Sequence, residues 1–237
     1  MFLFDANWCQ ILLKLESAML ITLKFWKWVK PKNVSFMILM LHFCMIFGQQ
    51  KVIIIDPGHG GKDTGAIGTN SIQEKDVSLS IAKEIIRLNE TLLNNEFDMY
   101  STRYMDTLIS LSDRSRLAES LKADVFVSLH CNASNTSAKG MDIYVHNTND
   151  EEVLIKKSIG MGLSILEEST LKLDFKKRAV RFANFQVLRE NIEIRPAILI
   201  EMGFISSTDE ADYFLKPQNI RAMALSILMG LYNYLNT

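Results

Sequence analysis

From Lys51 to the C-terminus the chain alternates short apolar runs with longer amphipathic stretches. The runs KVIII, DVFVSL and PAILI are rich in Val and Ile and bounded by Gly or polar clusters, which predicts strands buried on both faces of a parallel sheet. Asp76 to Leu93 carries Val77, Leu79, Ile81, Ile85, Ile86, Leu88 and Leu92 among polar residues in a helical period, and Leu111 to Lys122, Glu151 to Glu168 and about Gln218 to Leu235 repeat the pattern. In the second of these helices Leu111, Leu117, Ala118 and Leu121 are expected to face inward and Arg114, Arg116 and Glu119 outward. FDMYSTR and Met141 to His146 read as further strands, and Arg178 to Arg189 as passing through an extended NFQVL stretch. Strand and helix in alternation predict an α/β fold with crossover helices. No repeat and no Pro/Gly/Ser-rich linker interrupts it, so one domain is expected.

The region ahead of Lys51 follows a different pattern. A basic stretch, KFWKWVKPKN, precedes the apolar run Phe36 to Phe47 and then Gly48-Gln49-Gln50. A positive flank, an apolar core of about 12 residues and a small residue before polar ones form the pattern of a secretory signal peptide. The run is too short to span a bilayer, which takes about 20 residues. Residues 1–48 are therefore expected to be a leader, starting at Met19 or later because Lys14 and Glu16 break the earlier apolar sequence. Residues 49–237 are expected to be the folded domain, exported to a periplasm or the cell surface with no stable membrane insertion after cleavage. Bulky His42-Phe43 argue against Cys44 as a lipid-attachment site.

The 237 residues carry a formal charge of −1, and residues 49–237 hold 21 basic against 25 acidic side chains. That balance offers no basic face to nucleic acid. Of the three cysteines, Cys9 and Cys44 fall in the leader, so Cys131 has no internal disulfide partner and the core alone must hold the domain.

Three of the apolar runs end near His59, His130 and Glu201. In an open α/β sheet, ligands gather outside the carboxyl ends of parallel strands, so these residues are expected to meet at one rim. Glu74, placed in the loop before the first helix, lies within reach of it. Imidazoles with a carboxylate suit Zn²⁺ better than Mg²⁺ or Ca²⁺, and a single cysteine excludes a closed thiolate site. The glycine-rich DPGHGGKDTGAIG has neither P-loop nor dinucleotide-binding spacing; its glycines allow a tight path that projects His59. A carboxylate ending the run AILI is costly to bury unpaired, which favours a functional Glu201. Glu74, on its own surroundings, reads as a solvated acid near a helix start. Cys131 adjoins His130, but neighbouring strand residues point to opposite faces, so it reads as a packed apolar thiol. His146 also ends a strand, with nothing to separate rim from surface.

Several blocks in order, IIDPGHGGKDTGAIG, QEKDVSLSIA, FVSLHCNAS, ANFQVLRE and ILIEMGFISSTDEADYF, give the region from Lys51 onward a close resemblance to the zinc-dependent N-acetylmuramoyl-L-alanine amidases of bacteria, the amidase type 3 family. Two departures are Cys131, where alanine is common, and Met202, where leucine is frequent. The resemblance implies a mostly parallel central sheet of about six strands flanked by helices on both faces. It implies one Zn²⁺ held by His59, Glu74 and His130, with Glu201 as the catalytic carboxylate. The implied reaction is hydrolysis of the amide between the lactyl group of N-acetylmuramic acid and L-alanine in peptidoglycan. Asn132, Asn184 and Arg189 are candidates for positioning substrate, and Asp56 for supporting His59 from behind.

Some relatives carry an insertion after the fourth strand whose helix covers the metal until a protein activator removes it. About 36 residues separate His146 from Ala183 here, too few for a crossover helix and a second helix, so an open cleft needing no activator is expected. Two rivals remain: an inactive wall-binding or activator module of the same fold, and a zinc peptidase acting on stem peptides. All four metal and acid positions are present against the first, and no H-E-x-x-H helix supports the second.

Overall fold

The computed structural model describes residues 50–135, 137–148 and 151–236, together with Val34, Ser35 and Ile38, which are helical. Apart from those three positions the expected leader lies outside the described residues. No helix among the described residues is long and apolar enough to cross a membrane.

From Gln50 onward the chain is one compact α/β unit. Its strands are β1 (Val52–Pro57), β2 (Asp98–Ser101), β3 (Val125–Asn132), β4 (Met141–Val145), β5 (Lys177–Phe182) and β6 (Ala197–Phe204). Its helices are α1 (Glu74–Leu93), α2 (Leu111–Ser120), α3 (Glu152–Leu173), α4 (Gln186–Ile192), α5 (Thr208–Phe214) and α6 (Pro217–Leu235). The six strands form one sheet in the order β2-β1-β3-β6-β4-β5. β2, β1, β3 and β6 run parallel, β4 runs antiparallel to β6, and β5 runs parallel to β4.

The two-residue period of the strands divides the core. Ile53, Ile55, Val127, Leu129, Ile198 and Ile200 face one side, where α1, α3 and α6 bring Val77, Ile81, Ile85, Met161, Ile165, Ile227 and Leu231. Ile54, Phe126, Ala197 and Leu199 face the other, against Ala118 of α2 and Val187 and Leu188 of α4. Cys131 joins the first group, opposite His130, as the strand period requires; its burial pushes the thiol pKa up.

Several local expectations are corrected. Arg114 does not face solvent: it is 2% exposed, while Leu111 is 48% exposed. Helical spacing places Arg114 on the inward stripe, and its guanidinium is buried because Asp56, beneath it, is an anion. The NFQVL stretch is not extended; from Gln186 it forms α4, burying Val187, Leu188, Asn191 and Ile192. A seven-residue element is too short for its periodicity to separate helix from strand. α1 begins at Glu74, which is therefore helical and not in the preceding loop.

Gly230 shows how closely α3 and α6 approach, since a Cβ added there would lie 2.5 Å from Ile165 Cα. Gly→Ala inside a helix ordinarily gains about 1 kcal/mol. Here overpacking against backbone should outweigh that gain, and Gly230→Ala should lose about 1–3 kcal/mol in urea unfolding. A stabilised variant would contradict this packing.

Candidate metal centre and active site

The second face of the sheet carries a row of polar residues. By register His130 of β3 is paired with Glu201 of β6, and Glu201 with Asp142 of β4. Both His130 and Glu201 lie within their strands, since β3 continues to Asn132 and β6 to Phe204. His59 lies two residues beyond the end of β1, in the left-handed conformation with φ 59°. For a non-glycine residue this conformation costs about 1–2 kcal/mol and must be held by its surroundings.

Two buried arginines hold it. Arg114 donates Nη1 to Asp56 Oδ1 (2.6 Å) and to the Pro57 carbonyl (2.7 Å), and Nη2 to the His59 carbonyl (2.7 Å). Arg103 donates Nε to the Pro57 carbonyl (3.1 Å) and Nη2 to the carbonyls of Gly58 and Lys75 (both 2.8 Å), tying the loop to the first turn of α1. Burial and the neighbouring Arg114 charge lower the Arg103 pKa. The loop also passes directly under His130, since a Cβ on Gly58 would lie 2.3 Å from the imidazole Cε1.

These constraints bring His59, Glu74 and His130 together, with one donor atom from each within 4.8 Å of the others. Glu74 Oε1 lies 3.1 Å from His59 Nε2 and 2.8 Å from His130 Nδ1, and also accepts the Cys131 N–H at 3.0 Å. Its Oε2 accepts the Ala66 N–H at 2.9 Å. Although burial opposes ionisation, the hydrogen bonds from both imidazoles hold the Glu74 pKa well below the usual carboxylate range. The Glu74 hydrogen bond is the main cause raising His59 to about 9, with Asp63 adding to it.

The donor set fits a divalent cation. Two imidazole nitrogens and a carboxylate oxygen converge on one point, and the protons now shared among them are those a metal would displace. Beside them Glu201 Oε2 is buried with no hydrogen-bond partner, one of two such side-chain atoms among the described residues. Burial is the main cause raising its pKa to about 7. A cation on the neighbouring ligands would lower it again.

The expected supporting residues divide. Asp56 does not touch the His59 imidazole and reaches His59 only through Arg114; His59 Nδ1 instead meets Asp63 Oδ2 at 2.9 Å. Asn132 is the last residue of β3. Asn184 and Arg189 bond each other at 2.6 Å, and Arg189 lines a groove with Ser112, Glu190 and Arg195. His146 bonds the Ala183 carbonyl at 3.3 Å. Beside the metal-capable group is a cleft of about 600 Å³ lined by His59, His130, Leu108, Leu111 and Val187, a size that suits a ligand. A groove of about 710 Å³ between α1 and α6, lined by Ile72, Phe214 and Ile220 with Asp76, Lys83 and Arg221 at its edges, holds none of the metal-capable residues.

Residues 53–233 match the family model described as N-acetylmuramoyl-L-alanine amidase. The chain belongs to this amidase family. The sporulation-specific N-acetylmuramoyl-L-alanine amidase of Bacillus subtilis (strain 168) is 35% identical over 187 residues, 78% of this chain and 68% of that protein. Amidase AmiC of Neisseria meningitidis serogroup B is 31% identical over 80% of this chain, which spans only 54% of its length. Among solved structures, an amidase from Clostridium difficile 630 superposes with a TM-score of 0.72 at 31% identity, covering 79% of this chain and 98% of that one.

Within this amidase fold, Arg103, Arg114 and Asp63 act on the site but were not singled out by the sequence pattern. Arg114→Leu would leave the buried Asp56 carboxylate with the Thr102 and Ser128 hydroxyls but without its paired cation, and should cost about 3–5 kcal/mol. Exposed Arg116→Leu, which loses only a surface pair with Asp113, should stay within about 0.5 kcal/mol. Thermal or urea unfolding checks the pair, and equal shifts would contradict the clamp.

Proposed function

We propose that this protein is a zinc-dependent N-acetylmuramoyl-L-alanine amidase that cleaves the amide between the muramic lactyl group and L-alanine of peptidoglycan. The observation that carries this reading is the convergence of His59, Glu74 and His130 beside the unpartnered Glu201 carboxylate in a member of this family. His59, Glu74 and His130 would hold the zinc. When bound, zinc polarises a carbonyl and lowers the pKa of water toward about 7.

The protein's own groups do the rest. Glu201 Oε2, free of hydrogen bonds, accepts the proton of the attacking water and delivers it to the departing alanine nitrogen, a general acid–base contribution of about 10²- to 10⁴-fold. Asp63 fixes the ring orientation of His59 through Nδ1, and Glu74 is itself oriented by the N–H groups of Ala66 and Cys131. The open cleft receives the glycan side of the substrate, and Asn132, Asn184 and Arg189 remain candidates for positioning it. The leader directs export and is then removed, and the domain, residues 49–237, acts at the wall in a periplasm or at the cell surface. No protein activator is needed on this reading: among the described residues α3 is the helix of the β4–β5 crossover, and about 36 residues leave little chain for a second one over the site.

Purified wall digested by the zinc-loaded protein alone should yield free muramic lactyl groups and new N-terminal L-alanine. Glu201→Gln should lose most of this turnover while still binding about one zinc per chain. New amino ends from other residues would indicate a peptidase, no ends at all would indicate a binding module, and a Glu201→Gln protein without zinc would make Glu201 a ligand.

A further inference from the structure

The sheet continues past Glu201 on the side away from the glycine-rich loop. Asp142 of β4, paired in register with Glu201 and only 1% exposed, is held by two cations. Arg178 Nε lies 2.5 Å from Asp142 Oδ2 and Arg181 Nε 2.9 Å from Oδ1. One carboxylate meets two guanidiniums, so the cluster keeps a net positive charge. Both arginines come from β5, where the irregularity in its pairing with β4 brings Arg178 and Arg181 to the same buried acid. Arg181 stands opposite Tyr144, on the face that carries Glu201.

We propose that Arg178 and Arg181 form a subsite for a carboxylate of the peptide stem, on a residue two or three positions along from the scissile amide. The inference rests on the amidase reading above and names what lies on the peptide side of that site. A single buried carboxylate is satisfied by one bidentate cation; the second guanidinium is surplus to that need and is 47% exposed beside the catalytic row. Arg181 uses Nε on Asp142, leaving its terminal N–H groups for a second anion. Arg178 is held in place by the Lys139 carbonyl and by the Phe204 ring, 5.0 Å from its guanidinium carbon. Arginine fixed in this way is suited to planar recognition of a carboxylate.

Distance and composition agree with a peptide. Neighbouring strands lie about 4.8 Å apart, which puts the arginines of β5 about 10 Å from Glu201 across β4. An extended peptide covers that distance in about three residues at about 3.3–3.6 Å each, and the reach of the arginine side chains shortens it further. Tyr144 and half-exposed Phe185, in edge contact at 5.5 Å, add an aromatic wall along the same path.

The test compares two synthetic muramyl tripeptides, one with free carboxylates on its second and third residues and one amidated there. The zinc-loaded wild type should cleave the free acid with the higher kcat/KM. Arg181→Gln should reduce that preference roughly ten-fold or more by slowing the acid alone, with the amidated substrate unchanged, and Arg181→Lys should recover part of it. Equal loss on both substrates, or a preference that survives the substitution, would overturn the subsite. A wild type that cleaves both equally would defeat the subsite alone, and one that cleaves neither would defeat the amidase reading with it.

Discussion

The geometry of this site depends on two buried guanidiniums at the end of β1. When a strand leaves its sheet, its last carbonyls lose their ladder partners, and each one left buried and unpaired costs about 1–3 kcal/mol. Arg103 and Arg114 satisfy the carbonyls of Pro57, Gly58 and His59 together, and so hold a histidine in a backbone conformation it would not otherwise keep. Arg103 also binds the Lys75 carbonyl, so the distance between His59 and Glu74 is set by one rigid side chain. Lys75 adds a second tie, donating Nζ to the Gly61 carbonyl at 2.9 Å and to Asp106 at 2.7 Å. Removing either arginine would therefore move metal-capable groups without touching them.

The strand period accounts for the rest of the arrangement. Because His130, Glu201 and Asp142 share one face and one register, this polar row is a direct product of how β3, β6 and β4 pair. The chain reverses between β6 and β4, and this places Glu201 between two unlike neighbourhoods. On one side are the imidazoles and Glu74; on the other is the positive cluster around Asp142. A carboxylate in that position is buried, unpartnered at Oε2 and flanked by the metal-capable group and by the arginine cluster proposed as a subsite.

Much of this was legible in the sequence because apolar runs and helical stripes are long and regular. The strands at Ile53, Phe126 and Ile198, the helices α1, α3 and α6, and the opposite facing of Cys131 and His130 all follow from periodicity. Glu74 was legible only through resemblance, since its polar neighbours give no sign that its carboxylate turns inward to two imidazoles. Arg114 was misread because a charged residue on a helix is expected in solvent, and the anion that buries it, Asp56, is 58 residues away in sequence. The left-handed backbone of His59 and the short helix α4 were hidden for related reasons: one depends on distant hydrogen bonds, the other is too brief to show a period.

On the proposed reading, His59, Glu74 and His130 together form one metal site with Glu201 outside it. X-ray absorption at the zinc edge of the zinc-loaded protein tests it most directly. One zinc per chain is expected, with two imidazole nitrogens at about 2.0–2.1 Å, carboxylate oxygen in the remaining protein position, and a spectrum unchanged by Glu201→Gln. Sulfur in the coordination shell, a single imidazole, or a shell that changes with Glu201→Gln would contradict it.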